Sequence, residues 1–192
     1  MLSLYLRLLS LQIIAICRVH IVLLVGNLLK NKIVSAPTEE DPNIWAPYNI
    51  GKVRSVGMDL LAGTSYENGD WNASAEVRYS YQSAIDKTPG SYTYDMPVPY
   101  VARHTVVFDA DISWNGLLIS SVWQLRAGRT DSMGEMPDWN TLDINLGKSF
   151  SLPKGNLVLK LSARNILDSR YETVSGYPMP GRSLTCGLEY RF

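Results

Sequence analysis

The sequence has few of the residues from which disulfide frameworks, metal sites and hydrolytic triads are built. Among 192 residues there are two cysteines and two histidines. Cys17 and Cys186 lie far apart in sequence and character, which indicates neither a disulfide framework nor a metal site. Neither His20 nor His104 has a serine, cysteine or carboxylate at a catalytic spacing. We therefore predict no catalytic residue, no bound metal, no cofactor and no enzymatic activity.

An excess of either charge is also absent. Lysine and arginine number 18, aspartate and glutamate number 18, and the formal net charge is zero. Binding to nucleic acid depends on clustered positive charge, which neutralises phosphates. Nucleic acid is therefore not predicted as a partner.

No apolar run is long enough for a transmembrane helix. Residues 1–26 are apolar overall, but they are interrupted by Arg7, Gln12, Arg18 and His20. Clean runs reach about ten residues, whereas a membrane-spanning helix needs about 20. A secretory signal with residues 8–17 as its apolar region is one interpretation, although no small-residue cleavage site follows. A mis-called start codon or a frameshift is the other, so 1–26 is treated as separate from 27–192.

Alternation of apolar and polar residues dominates the remaining sequence. In 71–82, WNASAEVRYSYQ, every odd position is apolar or aromatic and every even position is polar. The last ten residues, SLTCGLEYRF, show the same period and end on Phe192. A period of two predicts strands with one apolar and one polar face. About eight strands are predicted, at 27–36, 49–66, 71–82, 101–115, 117–128, 139–151, 156–167 and 183–192.

Short and long connections alternate between these strands. The short ones, 67–70, 115–116 and 153–155, are rich in residues that accept unusual backbone angles. The long ones are 35–48, 85–100, 129–138 and 168–182. Short turns at one rim and long loops at the other are typical of bacterial outer-membrane barrels. We predict an all-β fold, an antiparallel transmembrane β-barrel segment of about eight strands whose C-terminus lies at the periplasmic rim.

The two faces of the predicted strands receive different assignments. Aromatic residues near strand ends are assigned to interfacial girdles: Trp71, Tyr79, Tyr81, Trp114, Trp139, Tyr190 and Phe192. Charged residues are assigned to a mutually neutralising lumen wall: Lys52, Arg54, Asp59, Glu76, Arg78, Asp109, Asp111, Asp143, Lys160, Arg164, Glu189 and Arg191. Asp109 and Asp111 share one face, but they lack the partner base or metal ligands that catalysis needs.

The most specific motif lies near the C-terminus. Residues 165–182, NILDSRYETVSGYPMPGR, lead into a strand that ends in phenylalanine. This arrangement resembles the C-terminal end of TonB-dependent outer-membrane receptors of Gram-negative bacteria. Residues 49–57, NIGKVRSVG, also look like a recurrent start of a barrel strand in that family. The resemblance extends over roughly 27–192.

The resemblance implies a location in the cell outer membrane. The complete receptor would import a scarce nutrient, such as a metal chelate, cobalamin or an oligosaccharide. Because the family's barrels have 22 strands and a plugged lumen, about eight strands imply a C-terminal fragment. TonB would act only through a plug domain, which this sequence lacks. Outer-membrane lipid and the barrel-assembly machinery are the other implied partners, the latter reading Tyr190 and Phe192 as an assembly signal.

Extracellular loops carry substrate specificity in the family that the sequence resembles. Ring side chains hold flat ligands at low entropic cost. The candidate ligand-contacting residues are Trp45, Tyr48, Tyr92, Tyr94, Tyr100, Tyr171 and Tyr177. The alternative is that these rings only pack the loops against one another.

Two other functions are compatible with about eight strands. Eight strands can close around an interior filled by side chains, so a self-sufficient barrel with a structural or adhesin-like role is one alternative. A small outer-membrane enzyme that modifies lipid is the other. It would need serine and histidine together at the loop rim, and the sequence shows no such pair.

Overall fold

The computed structural model describes residues 16–38, 41 and 44–192, and for 16–37, 45 and 48–50 it describes the backbone alone. The signal sequence considered for residues 8–17 therefore lies almost wholly outside the described residues. Among the described residues, no helix is long and apolar enough to span a membrane.

The described residues form one large sheet and two small hairpins. In chain order the strands are β1 (Ile16–Pro37), β2 (Trp45–Asn68), β3 (Trp71–Asp86), β4 (His104–Trp114), β5 (Leu117–Ala127), β6 (Arg129–Thr130), β7 (Glu135–Met136), β8 (Trp139–Leu152), β9 (Gly155–Arg164), β10 (Glu172–Val174), β11 (Tyr177–Pro178) and β12 (Ser183–Arg191). The eight-stranded antiparallel sheet has the order β1-β2-β3-β4-β5-β8-β9-β12, and β6–β7 and β10–β11 are the hairpins. The predicted all-β class and strand number are confirmed.

Two-residue turns and longer loops alternate along the sheet, as predicted. The turns lie at 69–70, 115–116 and 153–154, and the longer connections are 38–44, 87–103, 128–138 and 165–182. Asn115 has a φ of 44° and Gly116 a φ of 73°, as type I′ hairpin turns require. A Cβ on Gly116 would lie 2.7 Å from the Ser149 Oγ. Glycine is therefore required there for its space as well as its φ.

The strand register separates the residues into apolar and polar rows. One apolar row crosses four strands at Val77, Phe108, Trp123 and Leu142. The neighbouring row consists of Glu76, Asp109, Val122 and Asp143, so three of its four side chains are carboxylates. Since successive side chains of a strand point to opposite faces, the sheet has one apolar and one polar face. The predicted alternation is confirmed in the described side chains.

Aromatic pairs lie near both ends of the apolar face. Trp71 and Trp114 stack near the short turns with ring centroids 5.1 Å apart. Tyr81 lies 5.4 Å from the His104 ring toward the long loops. Tyr81 follows Trp71 by ten positions, a distance of about 33 Å along the strand, or about 25 Å across the bilayer at the usual tilt. This distance matches the apolar band of outer-membrane barrels.

The assignment of Trp139 to the aromatic girdle is wrong. Trp139 is 9% exposed and lies opposite Arg126 in the register, on the polar face. The apolar residues of β8, such as Leu142 and Ile144, occupy even positions. An odd-numbered residue of the same strand therefore lies on the opposite face.

The polar face is concave and carries paired charges. Hollows of about 600 and 570 Å³ lie along it. Arg78 pairs with Glu76 at 2.8 Å and with Asp109 at 3.3 Å, and Lys160 pairs with Glu189 at 2.7 Å. Exposed pairs of this kind add little stability, but they leave a nearly neutral wall, as predicted for a lumen.

The predicted assignment of Lys52 and Arg54 to the lumen wall is wrong. Lys52 and Arg54 share the even parity of Val56 and Met58, and the pairing of β2 with β3 is regular from Val53 onward. Both residues therefore belong to the apolar, convex face. Because charge is excluded from hydrocarbon, this end of β2 lies above the apolar band.

The N-terminal strand is longer than predicted. β1 pairs with β2 from Ile16 opposite Ser65 to Pro37 opposite Trp45, with an irregularity between Val22 and Val25. The predicted strand started at residue 27 because residues 16–26 do not alternate strictly, although their β-branched residues suit a strand. β1 crosses the domain boundary proposed between 26 and 27, which stays a prediction.

Candidate functional site

Three long loops converge at the rim opposite the short turns. In the loop 87–103, the Tyr100 N–H donates to the Thr130 carbonyl at 2.7 Å. The Tyr100 hydroxyl interacts with the backbone of Ser175, between β10 and β11. Burial raises the pKa of this hydroxyl, and the charge of Asp131 raises it further. Tyr100 is thus a protonated contact residue shared by all three loops.

Arg129 clamps two of these loops together. Its Nη1 donates to the Glu172 carbonyl at 2.8 Å and to the Thr173 carbonyl at 3.4 Å, and its Nη2 donates to the Pro137 carbonyl at 2.9 Å. The residue is 4% exposed. Burial lowers the pKa of the guanidinium, against which the charge of Asp138 acts. Among the described side chains, no carboxylate reaches ion-pair distance of Arg129.

A stack of rings supports the guanidinium. Arg129 lies 5.8 Å from the centre of the Trp139 ring, within cation–π range. Trp139 in turn stacks on Tyr171, with centroids 4.1 Å apart and an angle of 26° between the planes. The Nε of Arg129 and the Nε1 of Trp139 are buried without a hydrogen-bond partner among the described atoms. Such buried donors without a partner are rare in folded proteins.

A cleft of about 730 Å³ opens between these loops. Its lining residues come from both hairpin-bearing loops: Arg129, Met136, Pro137, Asp138, Asp168, Arg170, Tyr171, Glu172, Pro178, Met179 and Gly181. The volume is within the range of small-molecule sites. Two arginines, three carboxylates and a tyrosine can bind a polar ligand that contains a ring. No group of three or more metal-ligating side chains is present among the described residues.

Asn165 holds the last long loop closed. It is 5% exposed and has a φ of 48°, a left-handed conformation that asparagine tolerates. Its Nδ2 donates to the Ser169 carbonyl at 3.0 Å and to the Pro180 carbonyl at 3.2 Å. Asp168 completes the closure because its carboxylate accepts the Arg182 N–H at 3.0 Å. These two side chains join the beginning of 165–182 to its end.

The loop 87–103 is held by a buried carboxylate. Asp86 is 2% exposed and accepts hydrogen bonds from the Thr88 N–H at 2.7 Å and the Thr93 hydroxyl at 2.5 Å. Burial by itself raises the pKa of Asp86, but the hydrogen bonds outweigh it and leave the pKa below its usual value. Val98 in the same loop packs on Val53 of the polar face. The loop therefore packs against the lumen side of the sheet.

The structure does not bring the seven candidate aromatic residues together. Tyr171 lines the cleft, and Tyr100 lies among the converging loops. Tyr92, Tyr94 and Tyr177 are exposed. Trp45 and Tyr48, expected in a loop, lie in β2. Ligand contact by any of them stays a prediction.

Arg129 and Trp139 are the site residues that were not predicted as such. Arg129 is one charge among many in a polar loop, so its sequence position alone does not indicate burial. Trp139 could have been assigned to the polar face from its odd position in β8. Its pairing with Tyr171 depends on the fold of 165–182, which the alternating pattern does not specify.

Eight antiparallel strands, an apolar convex face about 25 Å high and long loops at one rim define the wall of an outer-membrane β-barrel. Residues 27–166 match the family described as "TonB dependent receptor-like, beta-barrel". The match extends over more than half of the chain, which belongs to this family. A comparison with curated proteins finds no match.

Membership of the family establishes the general character of the protein. It is an outer-membrane protein of a transporter family, not an enzyme, as the sequence predicted. The match ends at residue 166, so most of the motif in 165–182 and the terminal aromatics lie beyond it. The assembly role of Tyr190 and Phe192 therefore stays a prediction.

Proposed function

We propose that this chain supplies the C-terminal wall of a larger receptor barrel that imports a scarce nutrient across the outer membrane. The observation that carries the proposal is the cleft beside Arg129, Trp139 and Tyr171 at the long-loop rim. The Tyr171 ring and the charged side chains that line the cleft suit a metal chelate, cobalamin or an oligosaccharide. Each of these ligands presents polar groups around a flat or cyclic framework.

The open sheet supports a barrel with additional strands. Within the described residues, β1 pairs only with β2 and β12 only with β9. Each edge strand therefore has backbone groups without a partner, which hydrocarbon does not tolerate. Strands from the same gene would supply partners for both edges, and a preceding plug domain would connect the barrel to TonB.

The DNA upstream of the first codon tests whether the barrel is larger. We expect all frames read together to encode a plug domain and further alternating strands. A non-coding upstream region would contradict the larger receptor. It would favour the self-sufficient eight-stranded barrel with a structural or adhesin-like role, for which the strand number is suitable.

Uptake measurements on cells that express the whole locus test the transport function. The probes are a radioactive ferric catecholate, cyanocobalamin and maltohexaose, each measured with and without TonB. We expect TonB-dependent uptake of one probe. Tyr171→Ala should reduce this uptake at least tenfold, because the loss of stacking on a ring weakens ligand binding by about this factor. Tyr66→Ala, near the opposite rim, is the matched control. Equal uptake by both variants would contradict a ligand role for this cleft.

A further inference from the structure

Cationic residues occupy neighbouring register positions on three strands above the apolar band. Lys52 on β2 lies opposite Lys30 on β1 in the backbone register. On its other side, the Lys87 N–H, directly after β3, donates to the Lys52 carbonyl at 2.8 Å. Arg54 follows two residues along β2. Three lysines thus occupy one cross-strand row, with an arginine in the row below.

Like charges directly opposite each other destabilise a sheet. Asp95 pairs with Lys87, which offsets one charge. Lys52 and Arg54 are exposed, and neither forms an ion pair with a side chain that the structure describes. The row therefore has an excess of positive charge, and an external anion would lower its energy.

The position of the row identifies the source of that anion. Lys52 and Arg54 lie on the convex face, above Val56 and Met58. Met58 lies opposite Tyr81, at the aromatic end of the apolar band. Four residues, or about 13 Å of strand, separate Arg54 from Met58. On the convex face of a barrel in a membrane, the groups at this height are lipid headgroups.

We propose that Lys52 and Arg54 bind the phosphates of a phosphorylated lipid headgroup in the outer leaflet. The surface is continuous with the lipid-facing belt, and its charge complements the headgroup. Lys30 shares the row in the backbone register. The bound lipid would neutralise Lys52 and Arg54 and fix the height of the N-terminal strands in the membrane.

Lipid retention by the full chain tests this proposal. The chain is extracted in mild detergent from outer membranes, and the bisphosphorylated lipid A that remains bound is quantified by mass spectrometry. We expect the double variant K52Q/R54Q to retain about 25-fold less lipid A, about fivefold for each charge near an anionic lipid surface. The matched control K148Q/K154Q removes two charges near the short-turn rim and should retain the wild-type amount.

Further measurements keep the outcomes distinct. Heat-modifiable migration on a gel reports whether each variant is folded, independently of lipid binding and of nutrient uptake. A folded K52Q/R54Q variant that retains lipid A like the wild type would overturn the proposal. Equal retention of dephosphorylated lipid A by the wild type would also overturn it, as would displacement of lipid A by millimolar inorganic phosphate alone.

Discussion

At the residue scale, Arg129 shows how a buried charge can be used to hold loops together. Three of its hydrogen bonds reach backbone carbonyls in two different loops. Backbone carbonyls satisfy a guanidinium without a carboxylate, so the clamp does not depend on an ion pair. The same side chain also lines the cleft, so one residue contributes both to loop docking and to the cleft wall.

Replacing Arg129 with methionine should release the β10–β11 hairpin. A hydrogen bond from a charged group contributes about 1.5–3 kcal/mol, so amide exchange in 172–179 should accelerate about 10- to 100-fold. Hydrogen–deuterium exchange with peptide resolution measures this rate. Arg164→Met, at the exposed end of β9, is the control and should leave the rate unchanged. An unaltered rate in Arg129→Met would show that the clamp is dispensable.

Asp86 gives the loop 87–103 a defined dependence on pH. Because the pKa of Asp86 is lower in the folded protein, the carboxylate stabilises the loop above about pH 4, the unfolded value. That stabilisation is lost as the pH falls through the folded pKa. We expect protection of the Thr88 amide from exchange to decrease below about pH 4 in the wild type.

The variant Asp86→Asn should lack this pH dependence. Its Thr88 amide should be poorly protected at pH 6 and at low pH alike, because the amide side chain accepts hydrogen bonds more weakly than a carboxylate. Asp70→Asn, in an exposed short turn, should behave as the wild type. A wild-type pH profile in Asp86→Asn would assign the titration to another group.

At the element scale, strands with strictly alternating apolar and polar residues were predicted more accurately than strands without this alternation. β3 alternates without exception over 71–82, and this stretch was predicted; the alternation breaks at Ser83 and Ala84, and the last four residues of the strand were missed. β1 does not alternate strictly, and its first half was missed. The connections were predicted as turns or loops from their composition, but the hairpins β6–β7 and β10–β11 depend on contacts between loops. Long-range contacts of this kind leave no periodic trace in a sequence.

Asn165 is the element-scale position most sensitive to substitution. Alanine at a φ of 48° introduces strain of about 1–2 kcal/mol, and the lost hydrogen bonds add about 1–3 kcal/mol. Asn165→Ala should therefore destabilise the protein by roughly 2–5 kcal/mol in urea titrations in lipid.

Asn165→Gly separates the two contributions. Glycine accepts a left-handed φ, so only the loss from the hydrogen bonds should remain. Asn156→Ala, at an exposed position of β9, is the control and should change the stability by less than about 0.5 kcal/mol. Equal destabilisation by alanine and glycine would mean that backbone strain does not contribute at this position.

At the scale of the whole molecule, the two faces of the sheet define the protein. The sequence alone predicted an apolar face toward lipid and a polar face toward the lumen. The register confirms the pairing of rows across β3, β4, β5 and β8. The faces of residues beyond the apolar band were predicted less well, as Lys52 and Arg54 show. Outside the hydrocarbon, the polarity of a residue no longer indicates the face on which it lies.

The central claim is that the apolar face is in lipid and the polar face is in water. The labelling of single cysteines along β4 tests this claim. With Cys17 and Cys186 replaced by serine, single cysteines are placed at each position from 105 to 112 in cells. A membrane-impermeant maleimide is applied after the outer membrane has been permeabilised to small reagents. We expect labelling at 105, 107, 109 and 111 and at least tenfold slower labelling at 106, 108, 110 and 112. Uniform labelling, or labelling of the even positions, would contradict a barrel wall with this orientation.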